Sequence, residues 1–247
     1  MTIRQATTPI RDRVSRRTLF ARLAAAVTSA VFIAASLVAC TAEAPAPTAS
    51  DARTASVPTA SSKPVIAAVI GDSIAIGNGV PAEDAWPLLV AQHFGWILSD
   101  FAESAAGFTA PGLNTHIFND QVSAVIRVHP HVVIVGATRN DVFASPATLS
   151  TAATAALKRL HAAVPHARII GVSALWGSDP APAEVPVISQ TVKAAVLAVG
   201  GSWVDLGQPF AGHPELVLAD HVHPTVEGQK LLAQRVSDAI AAQHVRP

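Results

Sequence analysis

The sequence has a single cysteine in 247 residues, Cys40, and that scarcity excludes a disulfide framework and any multi-cysteine zinc or iron–sulfur site. Charge is also sparse. Only 14% of the residues are charged, against 50% hydrophobic, so a substantial core can be buried. Much of that apolar fraction is alanine, which adds helix propensity more than driving force. The net charge of zero hides a division: residues 1–39 carry six arginines and one acid, Asp12, whereas residues 40–247 carry 11 basic and 16 acidic side chains. A body with an acidic excess lacks the basic face that nucleic acid requires. No heptad run and no repeat of fixed period is present, which removes coiled coils and solenoids. The length then allows one domain with an export segment attached.

What is present begins with that segment. Two arginines in Ser15-Arg16-Arg17-Thr18-Leu19-Phe20 precede an uncharged, largely apolar stretch over residues 23–39, the pattern of a secretory signal. The arginine pair resembles a twin-arginine signal. The stretch ends Leu37-Val38-Ala39-Cys40, which resembles a bacterial lipobox, and that resemblance implies a diacylglycerol on the Cys40 thiol. A short membrane-spanning helix is the competing reading of the same residues. Residues 41–63 are mostly Ala, Pro, Thr and Ser, with Val57 their only apolar side chain larger than Ala or Pro, so together with Cys40 they read as a solvated tether. The expected organisation is a signal peptide over 1–39, the anchor cysteine and linker over 40–63, and one folded domain over 64–247. Export and anchoring place that domain on the outer face of the bacterial membrane, attached through Cys40.

From Pro64 onward buried strands alternate with helices. Continuous β-branched runs at residues 65–70, 132–135 and 169–172 predict strands covered on both faces, and residues 96–98 and 203–204 are shorter candidates. Leu149, Ala153, Ala156, Leu157 and Leu160 share a helical face behind the Ser145-Pro146 cap. Leu232, Val236 and Ile240 share another, and residues 84–94 and 185–199 predict two more helices. Such alternation gives a parallel sheet with helices on both sides, whose active site lies beyond the carboxyl ends of the strands.

Three loops at those ends carry chemistry. Gly71-Asp72-Ser73 follows the first strand, where a serine opening a helix is placed as a nucleophile and its own N–H can face an oxyanion. The same tripeptide also suits an ordinary strand-to-helix cap. A phosphate-binding loop is excluded because Gly71, Gly77 and Gly79 lack a following Gly-Lys-Ser/Thr. Asp220-His221-Val222-His223-Pro224 precedes the last helix, and an acid three residues before a histidine can hold one ring nitrogen protonated, leaving the other to take a serine proton. Asp220, His221 and His223 as metal ligands is the alternative. His129 and His131 repeat the spacing beside Pro130 and read as loop residues. In the third loop, Gly136-Ala137-Thr138-Arg139-Asn140-Asp141, the Asn140 amide can face a developing oxyanion, while Arg139 can meet an anion or pair with an acid.

Taken together, Gly71-Asp72-Ser73 and Asp220-x-x-His223-Pro224 resemble the SGNH, or GDSL, hydrolase family across residues 64–245. The resemblance implies a three-layer α/β/α sandwich, flavodoxin-like, around a roughly five-stranded parallel sheet. It also implies a Ser73–His223–Asp220 triad, with an oxyanion hole from the N–H groups of Ser73 and Gly107 and the amide of Asn140. Gly107 is matched through Glu103-Ser104-Ala105-Ala106-Gly107, with Gly112 close by. Thr138 stands where the family's third block has glycine, a departure that bears on how Asn140 is delivered. No metal and no organic cofactor is implied. The expected activity is hydrolysis of acyl or acetyl esters of envelope lipids or glycans. Acyl transfer by the same triad and non-catalytic binding are the alternatives, and the oligomeric state is not legible. Trp86, Phe108, Phe118, Phe143 and Trp176 are candidates for an acyl pocket, at least half of them expected to pack the sheet instead.

Overall fold

The computed structural model describes residues 63–243; the expected signal, Cys40 and all of the linker except Lys63 lie outside the described residues. Five strands form one fully parallel sheet in the order β2-β1-β3-β4-β5, with β1 Ile66–Ile70, β2 Ile97–Asp100, β3 Val132–Gly136, β4 Arg168–Val172 and β5 Ser202–Val204. Register follows from burial on both faces. In β1, Ala67 and Val69 pack with the helices of one side, Ala68 and Ile70 with those of the other. The helices are α1 Ser73–Ile76, α2 Trp86–Phe94, α3 Phe118–Arg127, α4 Pro146–Ala163, α5 Glu184–Ala198 and α6 Val226–Ala242. Side chains of α2 and α6 cover one face, and those of α3, α4 and α5 cover the other. This is the expected three-layer sandwich. Among the described residues, no helix is long and apolar enough to cross a membrane.

Local chemistry accounts for most element boundaries. The Ser145 hydroxyl accepts the Thr148 N–H at the start of α4, and Thr225 does the same for Gly228 at the start of α6. The helix expected over residues 84–94 is two elements: a 3-10 turn at Ala82–Asp84, an extended Ala85, then α2. Pro87, in the first turn of α2, favours helix initiation there because its missing N–H needs no intrahelical acceptor. Helix α3 was not among the expected elements, and it buries Phe118, Gln121, Val122 and Val125 at helical spacing. Three of the proposed pocket aromatics, Trp86, Phe108 and Phe118, belong to the core at 5% exposure or less.

The topology also fixes where a site can form. Strand β1 lies between β2 and β3, so the connections leaving β1 and β3 run to opposite faces of the sheet and open a crevice at the carboxyl ends of those two strands. The loops starting at Gly71, Phe101 and Ala137 all reach that crevice, and the turn before α6 closes over it.

Candidate active site

Ser73 is the first residue of the four-residue α1, directly beyond β1. The Asp72 carboxylate caps this turn by accepting the Ile74 N–H at 2.9 Å, and Gly77 ends it with φ 78°, a left-handed conformation natural to glycine. Two buried glutamines brace the turn from opposite faces of the sheet. Gln121 of α3 exchanges two hydrogen bonds of 3.0 Å with the Gly71 backbone, while Gln229 of α6 donates to the Ile74 carbonyl and accepts the Trp86 N–H. Neither glutamine is conspicuous in sequence, because a polar side chain on a helix reads as solvent-facing. The Ser73 N–H, at the first helical position, has no intrahelical acceptor.

The loop before α6 brings its residues to Ser73. His223 Nε2 lies 2.9 Å from Ser73 Oγ, and His223 Nδ1 lies 2.6 Å from Asp220 Oδ2. An ionised carboxylate only accepts, so Nδ1 carries the proton and Nε2 is left to accept from the serine hydroxyl. The other Asp220 oxygen accepts the backbone N–H groups of Val222 and His223, both at 2.9 Å, which curls the tetrapeptide into a turn. A Val217–Pro224 bridge pinches the base of that turn, and His221 takes φ 60° within it. Partial burial opposes ionisation of Asp220, but the His223 ring and the two N–H donors outweigh it and pull its pKa down to about 2. His221 turns away to Ser178 Oγ at 3.2 Å, and among the described residues no three His, Cys, Asp or Glu side chains converge as metal ligands. His131, at the opposite end of the sheet, accepts the Ile66 N–H.

The third loop is a 3-10 helix over Arg139–Phe143. Asn140 Nδ2 donates one hydrogen to the Ala106 carbonyl at 2.9 Å, leaving its second hydrogen without an acceptor among the described residues. Asp141, 1% exposed, was not among the expected site residues. It accepts from Phe108 N at 3.0 Å, Thr109 N at 2.8 Å, Thr109 Oγ1 at 2.6 Å and Ala110 N at 3.3 Å. One buried carboxylate therefore shapes the whole loop that carries Gly107. A Cβ on Gly107 would sit 2.6 Å from Asp141 Oδ1, which explains the glycine. Gly107's own N–H donates to the Ala110 carbonyl at 2.9 Å, so of the three expected oxyanion donors it is the one with no hydrogen left over.

Among the described residues, Arg139 pairs with no acid. Its guanidinium stacks 3.7 Å above the Trp176 ring and donates to the Trp176 carbonyl, and burial holds its pKa below the usual value against the pull of Asp72, Asp220 and Asp179. Trp176 is thereby occupied on one face, and Phe143 is 98% exposed, so neither is enclosed in a pocket.

A family model for GDSL-like lipases and acylhydrolases matches residues 69–231, which run from the end of β1 into α6. The chain is 28% identical over 195 residues to a GDSL lipase of Mycobacterium tuberculosis, spanning 72% of this chain and 82% of that one. Among solved structures, the esterase EstA of a Pseudoalteromonas species superposes with a TM-score of 0.60 at 18% identity, covering 73% of this chain and 99% of that one. A family two carbohydrate esterase from Clostridium thermocellum, solved with cellohexaose, superposes at 0.61 and 19% identity, covering 74% and 66%. The match across about two thirds of the sequence places the chain in the GDSL-like lipase/acylhydrolase family, as a carboxylic ester hydrolase.

Proposed function

We propose that this chain is an exported, lipid-anchored serine esterase of the cell envelope that acts through a Ser73–His223–Asp220 triad. The observation that carries the reading is the unbroken line from Asp220 Oδ2 through His223 to Ser73 Oγ, at 2.6 and 2.9 Å. Ser73 Oγ attacks the ester carbonyl as His223 Nε2 takes its proton, and Asp220 stabilises the imidazolium. The oxyanion is received by the Ser73 N–H and the free Asn140 amide hydrogen, and by the Gly107 N–H once its bond to Ala110 opens. Imidazolium then protonates the departing alcohol, water attacks the acyl-enzyme with His223 as base, and the carboxylic acid leaves. Every step uses side chains and backbone of this chain.

The envelope assignment rests on residues 1–63: the arginine pair, the apolar stretch ending at Cys40, and the Pro/Ala/Thr/Ser tether. Acylated lipids or acetylated glycans within reach of that tether are the proposed substrates. Full-length protein assayed beside Ser73→Ala on p-nitrophenyl esters from acetate to palmitate tests the chemistry. Turnover lost in the variant is the expected result, with the chain-length optimum reporting the acyl group; turnover retained in Ser73→Ala overturns the triad. Incorporation of labelled palmitate that disappears in Cys40→Ala tests the anchor separately.

A further inference from the structure

We propose that the Thr138 hydroxyl is a positioning group that sets the two free oxyanion donors, Ser73 N–H and the Asn140 amide, relative to one another. The inference rests on the triad reading above. Thr138 is 1% exposed, and its Oγ1 lies 2.5 Å from Asp72 Oδ2 while accepting the Asn140 N–H at 3.1 Å. Asp72 Oδ1 in turn accepts the Ile74 N–H at 2.9 Å. One chain of hydrogen bonds thus runs from the turn holding Ser73, through a carboxylate and a hydroxyl, into the loop holding Asn140. The two loops are 66 residues apart in sequence, and Oγ1 is the atom that joins them.

An ionised Asp72 only accepts, so Thr138 must donate to it, and its lone pairs face the Asn140 N–H. Burial pushes the Asp72 pKa up, and the Thr138 hydroxyl and the backbone N–H donors work against that rise. Glycine, the residue of the third block that this sequence resembles, would leave Asp72 Oδ2 and the Asn140 N–H without this partner. In this chain the spacing of the two donors is therefore held by a side chain. A filler role for Thr138 makes a different prediction, because valine fills the same space without the hydroxyl.

The test compares Thr138→Val, Thr138→Gly and Thr138→Ser with wild type on one p-nitrophenyl ester, with thermal unfolding followed in parallel. Loss of both Val and Gly activity is expected in kcat, by about tenfold or more, with KM held within about twofold. Thr138→Ser, which restores the hydroxyl, is expected within about threefold of wild type. Full activity in Thr138→Gly or Thr138→Val, an effect confined to KM, or an equal loss in Thr138→Ser overturns the proposal. Should the valine variant not fold, the Gly and Ser variants decide it. Activity surviving in Ser73→Ala would instead overturn the triad reading, so the two failures are distinguishable.

Discussion

Replacing Asp141 with asparagine changes one atom of a fully buried side chain, and its cost can be worked from four distances. The amide oxygen can keep the Oδ1 position and its three donors, Thr109 N, Thr109 Oγ1 and Ala110 N. The NH2 group then takes the Oδ2 position and meets the Phe108 N–H across 3.0 Å, donor against donor. One charge-assisted bond worth about 1.5–3 kcal/mol is lost, and the three others weaken from ionic to neutral. The flipped amide does worse, because the two fixed N–H donors of Thr109 and Ala110 would then face NH2. A loss of about 3 kcal/mol follows, which in a domain of this size lowers Tm by roughly 6–12 °C. The same loop supplies Ala106, whose carbonyl holds the Asn140 amide, so kcat should fall even at temperatures where the variant is folded. Thermal unfolding by circular dichroism and p-nitrophenyl ester turnover at 20 °C check both halves. A Tm within about 2 °C of wild type would refute the claim that Asp141 shapes this loop.

Asn140→Ala removes one proposed oxyanion donor and is expected to lower kcat by about 10²–10³ with KM little changed, measured by steady-state ester hydrolysis. Gly177→Ala would put a Cβ 2.0 Å from the His221 carbonyl, so the Asp220–His223 turn must shift; kcat should fall more than about tenfold, with slower fluorophosphonate labelling. The Asp220 pKa of about 2 lies below the ordinary 3.8, so its ionised form stabilises the fold above about pH 4 and that contribution disappears as pH falls toward 2. With the side chain 46% exposed, solvent screening limits the effect to about 1 kcal/mol, and urea unfolding of Asp220→Asn against wild type should show a difference at pH 5 that vanishes near pH 2.

The parts legible in sequence were those with local signatures. Strands β1, β3 and β4 are buried on both faces and so write themselves as β-branched runs, whereas β2 at the sheet edge leaves Ile97 exposed and its signal faint. Asp220 and His223 are visible because they meet within one turn. Helix α3 was hidden because its buried face includes Gln121, and that glutamine is polar for a reason lying 50 residues away, at Gly71. Thr138 reads as an anomaly until Asp72 is placed beside it. The aromatics were equivocal for the same reason: Phe118 and Phe143 are chemically alike, yet one is buried and the other is almost wholly exposed. Pairings across the sheet, rather than spacing along the chain, decide these cases.

The central claim is that Ser73 is activated by His223. Reaction of the full-length protein with a fluorophosphonate, followed by mass spectrometry of the labelled peptide, tests it most directly. The account predicts a single adduct on Ser73, none in Ser73→Ala, and labelling in His223→Ala slowed by about 10³ or more. An adduct on another residue, or wild-type labelling rates in His223→Ala, would contradict it.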